Sequence, residues 1–418
     1  MIAVHLKFRF FISCILLFIS IAGSAQKENA EFRQLAHLTD SVCMKAYYIR
    51  DSNAYKKQLS LFLKKYDKLD SSSKKEFMQD LNGAYYNLCC LYSLQNVKSK
   101  ALEYFRKSYE AEYYNYTHIL GDSDLNNIRN EIEFKIIANK MRQIGDYLYI
   151  LKNASKYNRA DSRQLPAFTY QSKDNPNLVE LRKSFKLDSV AGKGNDISKV
   201  ISMLHFIHNL IPHDGSHENP TVKNAMAMIA ICKKDNRGLN CRGLATVLNE
   251  CYLSMGFKSR IVTCLPKDSM QIDPDCHVIN SVYLPSLKKW VWMDPTFDAY
   301  VMNETGELLS IEEVRERLIA GKTLLINPDA NWNHKSSQNE KYYLEYYMAK
   351  NLYMLECPVN SEYNMETRED GKTISYIKLL PLEYYKQTPA IDKNTIKSSN
   401  TTYVVYKTNN PAAFWETP

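Results

Sequence analysis

One stretch, residues 237–298, limits what this chain can fold into more than any other. It reads RGLNCRGLATVLNECYLSMGFKSRIVTCL, then a polar loop, then DCHVINSVYLPSLKKWVWMDPTFD. Asn240 has the side chain of a good N-cap, because its oxygen can accept an orphan backbone N–H of a helix's first turn. Leu244, Val247, Leu248, Cys251 and Met255 then share one face at helical spacing, and Gly256 closes the helix as a left-handed C′ residue. Cys241 therefore opens a buried helix, where the helix dipole and free N–H groups favour a thiolate. HVINSVYL and KKWVWMD are rich in β-branched and aromatic residues and predict a hairpin about Leu284–Leu287. With the turn centred between Pro285 and Ser286, His277 and Asp294 stand directly opposed on one face.

A thiol at a helix N-terminus, an imidazole to take its proton and a carboxylate to hold the imidazole make a Cys-His-Asp triad of Cys241, His277 and Asp294. Each residue taken alone reads more simply as a buried thiol, a strand-edge histidine or an Asp-Pro turn. Their joint placement at element ends favours the triad.

Gly238-x-Asn240-Cys241, the helix ending in Gly256, Arg260 in the next strand, Asp275-Cys276-His277-Val278 and Trp290-x-x-x-Asp294-Pro295-Thr296 together resemble the transglutaminase-like superfamily, over about 175–330. The resemblance implies an α+β, papain-like core. It also implies Cys241 as nucleophile, His277 as general base and Asp294 as its orienting partner. Many bacterial members follow the histidine with small-Trp-x-Glu, where this chain has Val278-Ile279-Asn280. RGLNC is also similar to arylamine N-acetyltransferases, without their complete arginine-rich motif. Related folds place a second oxyanion donor upstream of the cysteine; no residue is assigned to it.

The rest of the chain is read around this core. The 418 residues are enough for two or three domains, and the net charge of +8 is spread without a basic stripe, which argues against nucleic acid. Residues 1–25 read as a signal peptide: Lys7 and Arg9, an apolar run from Phe10 to Ala22, then Gly23-Ser24-Ala25. An uncleaved anchor is the alternative. The expectation is an exported, periplasmic or extracellular protein with no stable membrane insertion after signal removal. The nine cysteines after Cys14 form neither a small disulfide framework nor a CxxC zinc pair.

Residues 26–157 predict an all-helical domain. Within it Asn82–Asn115 resembles a tetratricopeptide repeat through Tyr85, Leu88, Cys89, Tyr92, Ala101, Phe105 and Ser108. This domain is either a bundle packed on the core or a surface for a protein partner. Residues 158–177, with Pro166 and Pro176, read as a linker, 178–330 as the catalytic domain and 331–418 as an α/β extension whose 385–400 stretch is a loop. His205, His208, His213 and His217 lack HExxH or a joining cysteine, so a role lining the cleft is favoured over a metal. Asp268, Asp273 and Asp275 lack the calcium-loop spacing. No cofactor and no metal is expected. The resemblance implies acyl transfer through a Cys241 thioester, with hydrolysis of a peptide or amide bond in a protein or peptide substrate preferred. The alternative is a non-catalytic scaffold working through its helical domain.

Overall fold

The computed structural model describes residues 29–154, 156–161, 165–267, 275–384 and 391–418. The leader expected over 1–25, with Asp268 and Asp273, lies outside them. The chain divides into two compact units with the boundary after Asp146.

The first unit is helical throughout its described residues. A helix over 29–48 is followed by Ser52–Tyr66, Ser71–Glu76, α1 (Met78–Leu94), α2 (Lys98–Glu110), Tyr116–Gly121 and Ile132–Gly145. Asp51 and Asp70 cap their helices by accepting two backbone N–H bonds each, as aspartate does at N-caps. α1 and α2 form a helical hairpin about Asn96, whose φ of 58° supplies the left-handed turn. Leu88, Cys89, Tyr92, Ala101, Phe105 and Ser108 all point inward. The helix pair is observed.

The second unit is built on a seven-stranded sheet. Its strands are β1 (Ser259–Leu265), β2 (His277–Leu284), β3 (Lys289–Met293), β4 (Met354–Pro358), β5 (Thr373–Leu379), β6 (Ile391–Ile396) and β7 (Thr401–Thr408), in the order β6-β7-β5-β4-β1-β2-β3. Every residue of β1 is buried, as a central strand covered on both faces requires. One face packs on α3 (Asp196–Leu210), α4 (Ala225–Asp235) and α5 (Cys241–Ser254), with Val282, Leu284, Val291 and Met293 between. The other carries Val262, Cys264, Ile279 and Trp292 against Val314, Tyr343 and Met348. The fold is α+β, with the all-helical unit preceding it.

The segment boundaries differ from the sequence reading in three places. Residues 331–418 supply β4 to β7, so the sheet runs on past 330. The stretch expected as a loop at 385–400 contains β6, paired antiparallel with β7. Within 158–177, Thr169–Tyr170 pairs with Asn360–Ser361, and Tyr147–Lys152 belongs to the second unit, its Leu151 buried in the core. All three depend on partners distant in sequence, which local periodicity does not report. Arg260 ties the chain's end down: its guanidinium donates to the carbonyls of Phe414 and Glu416, at 2.8 Å each, between the rings of Phe168 and Trp290.

Candidate active site

Asn240 caps α5 as its sequence demands, its side chain accepting from the Gly243 N–H at 3.2 Å and from Asn219 at 2.6 Å. Gly256 follows the helix with a φ of 86°. From Gly243 to Ser254 every residue of α5 is buried, so the helix is a rigid central rod and its first residue, Cys241, is held half-buried at the open end. Gly238 permits the approach of the preceding loop: a Cβ there would sit 2.2 Å from the Pro212 carbonyl. That contact brings His213 beside the thiol, and His213 bridges Leu239.

The hairpin forms with a different register from the one expected. Asn280 faces Met293 and Ser281 faces Trp292, so the turn centre moves one residue on, to between Ser286 and Leu287. Lys288, with φ 52°, takes the left-handed position of the longer turn. His277 and Asp294 are therefore diagonal rather than directly opposed. A two-residue shift leaves both on the same face, because side chains alternate with a period of two. Their hydrogen bond survives: His277 Nε2 and Asp294 Oδ2 are 2.6 Å apart, and both side chains are essentially excluded from solvent.

Asp294 is fully engaged. Its Oδ2 also accepts the Tyr343 hydroxyl at 2.6 Å, and its Oδ1 accepts the Thr296 N–H at 2.9 Å. Trp292 Nε1 donates in turn to the Tyr343 oxygen at 3.2 Å. Tyr343 and Tyr347 lie on a π-helix, Lys341–Met348, and the Tyr347 hydroxyl is 3.3 Å from His277 Nδ1. With Nε2 committed to Asp294, Nδ1 is the nitrogen left for the thiol.

Two imidazoles, those of His213 and His277, set the electrostatics of the Cys241 thiol. Burial alone would raise the thiol, but hydrogen bonds from His213 and His277, the His277 charge and the Val278 N–H outweigh it and bring the thiol down to about 6. For His277, burial opposes the charged ring, while the charge and hydrogen bond of Asp294 and the neighbouring Cys241 raise it above its ordinary value. The two shifts describe one coupled unit, a thiolate beside an imidazolium over the neutral range. Trp332 Nε1 donates to His213 Nδ1 at 3.3 Å, so a neutral His213 carries its proton on Nε2, the nitrogen free to face sulfur.

Sequence reasoning brings together Cys241, His277 and Asp294. It gives His213 only as one of four histidines lining the cleft, and it does not name Trp332, Tyr343 or Tyr347. His213 was one of four clustered histidines, and the others go elsewhere: His205 to Asp298, His208 to the Pro295 carbonyl and Asn331, and His217 to Asp214.

The family model of the transglutaminase-like superfamily matches residues 183–295. This stretch is a transglutaminase-like domain. It begins in the helix Pro176–Ser184, contains Cys241 and His277 and ends one residue after Asp294. A solved structure described as "a Putative Cysteine Protease from Cytophaga hutchinsonii" is similar at 18% identity and a TM-score of 0.22, over 28% of this chain and 37% of its own length. The chain thus spans well under half of that relative. No curated protein matches.

Proposed function

We propose that this protein is an exported, cysteine-dependent acyl-transfer enzyme that hydrolyses a peptide or amide bond. The observation that carries the proposal is the Cys241 thiol, half-buried at the head of α5 between two imidazoles, one of them bonded to a buried carboxylate. Export rests on the composition of residues 1–25.

Cys241 Sγ attacks the substrate carbonyl carbon, and the C=O electrons move onto oxygen. In this reading the Cys241 backbone N–H at the helix N-terminus and the His213 Nε2–H receive that charge. Collapse of the tetrahedral species breaks the C–N bond, and His277 gives its Nδ1 proton to the leaving nitrogen. A thioester and a neutral imidazole remain. His277 then takes a proton from water, hydroxide adds to the thioester carbon, and the carboxylic acid leaves as the thiolate returns. Asp294 keeps its hydrogen bond to Nε2 throughout and stays ionised.

The test uses p-nitrophenyl acetate as a generic acyl donor. One equivalent of p-nitrophenolate should be released in a burst, with an acetyl group on the Cys241 peptide by mass spectrometry, and neither should occur in Cys241→Ala. Acetylation spread over other side chains, with no burst, would contradict the proposal.

A further inference from the structure

Arg242, the residue after the thiol, turns away from Cys241 into a separate cavity of about 270 Å³. Its guanidinium donates to Glu366 Oε1 at 2.6 Å and to Thr263 Oγ1 at 2.8 Å. Thr263 pairs across the sheet with Val278, the neighbour of His277, so the cavity and the thiol site share a helix turn and a strand pair. The lining is charged in both senses: Lys223, Arg242 and Arg368 against Glu356 and Glu366, with Tyr376 as a wall. Arg242 is matched by Glu366, and Glu356 by Lys378 at 3.4 Å. Lys223 and Arg368 have no carboxylate partner among the described residues, and the Arg368 Nε–H goes to the Tyr403 hydroxyl.

Glu366 is 4% exposed. Its Oε1 accepts both Arg242 and the Tyr376 hydroxyl, whereas Oε2 has no partner among the described residues. A buried carboxylate oxygen left without a donor is costly, and a ligand N–H would relieve it. Burial pushes the Lys223 ammonium down, a cost that an anion beside it would offset. Both loops are braced from beneath. The Lys223 N–H donates to Thr367 Oγ1 at 2.7 Å, and buried Glu250 accepts the N–H of Ala225 at 2.7 Å and of Asn364 at 2.9 Å. Preorganisation of this kind marks binding sites more than solvated surface.

We propose that this cavity is a substrate subsite for a carboxylate-bearing residue next to the bond under attack. Lys223 and Arg368 receive the carboxylate, and Glu366 Oε2 accepts an N–H of the same residue. The proposal rests on the acyl-transfer reading of Cys241. It narrows the substrate to peptides carrying an acidic side chain or a free terminal carboxylate near the scissile amide.

Haloacetates separate the two ideas, because iodoacetamide and iodoacetate bring the same electrophilic carbon to Cys241 without and with a negative charge, respectively. In the full chain at low salt, the iodoacetate-to-iodoacetamide rate ratio at Cys241 should fall about fivefold in Lys223→Gln/Arg368→Gln, the size expected for losing nearby cations. The ratio should hold in Lys234→Gln, an exposed lysine on α4 away from the cavity. Lys223→Gln alone, expected to give part of the fall, serves if the double variant does not fold. N-acetylglutamate α-amide and N-acetylglycine should each protect Cys241 where neutral N-acetylglutamine amide does not, and the more effective of the two identifies a side-chain or a terminal carboxylate. A ratio unchanged in the cavity variants, or equal protection by the neutral compound, overturns the subsite. Slow iodoacetamide reaction in the wild type overturns the thiol reading instead and leaves the ratio still informative.

Discussion

Cys90 in the helical unit and Cys241 in the second unit are each set among tyrosine and aspartate, yet the two thiols are driven in opposite directions. Cys90 lies mid-helix with its sulfur 3.5 Å from Asp122, which also takes the Tyr86 hydroxyl at 2.6 Å. Burial, the neighbouring Cys89 and the Asp122 charge all hold that thiol protonated, far above its ordinary value. At Cys241 the carboxylate is one group removed: His277 stands between Asp294 and sulfur, and the sulfur sits at a helix N-terminus. A carboxylate beside a thiol suppresses ionisation, and the same carboxylate behind an imidazole promotes it. Reactivity here is a matter of order and placement more than of residue types.

Alanine at the two cysteines should separate their roles most sharply. Cys241→Ala is expected to lower acylation by p-nitrophenyl acetate by about 10⁴-fold or more while the urea midpoint barely moves. Cys90→Ala should keep acylation and lose about 1 kcal/mol of unfolding free energy, from the small cavity left in a packed core. The contrast fails if both variants behave alike.

Next in size is Asp294→Asn, which keeps shape but removes the charge that supports the imidazolium. A loss of about 10³-fold in the acylation rate is expected, with the circular dichroism spectrum retained. His213→Ala should cost about 10- to 100-fold in acylation, as one oxyanion donor does, with part regained in His213→Gln. Trp332→Phe should have the smallest effect, a few-fold loss, because it frees the His213 tautomer without removing the ring. A Trp332→Phe loss as large as that of His213→Ala would give the tryptophan a direct role instead.

Much of the helix that carries Cys241 was legible because its signals are local. The Asn240 cap, the apolar face from Leu244 to Met255 and Gly256 lie within one helix length, and the hairpin's strands announce themselves by composition. The register was off by two residues because turn length is set by Lys288 adopting a left-handed conformation, which lysine's identity does not advertise. The face of His277 and Asp294 came through because an even slip preserves it. Trp332 and Tyr343 were out of reach, and His213 could not be singled out from its cluster, for another reason. They meet the site through the Gly238–Pro212 contact, the Trp332–His213 bond and the π-helix, contacts that no sequence spacing encodes. The C-terminal extension reads as α/β, but the order in which its strands pair is not encoded locally, since β5 pairs parallel with β7 and antiparallel with β4.

The most direct test of the thiolate–imidazolium pair is the rate of Cys241 alkylation by iodoacetamide against pH, in the full protein and in His277→Ala. A thiol near 6 is already about half thiolate at pH 6, whereas an unperturbed thiol near 8.5 has almost none. The rate should therefore rise through about pH 6 and level off across neutrality, and in His277→Ala the rise should move towards about 8.5. A single rise near the free-thiol value, the same with and without His277, would contradict the account.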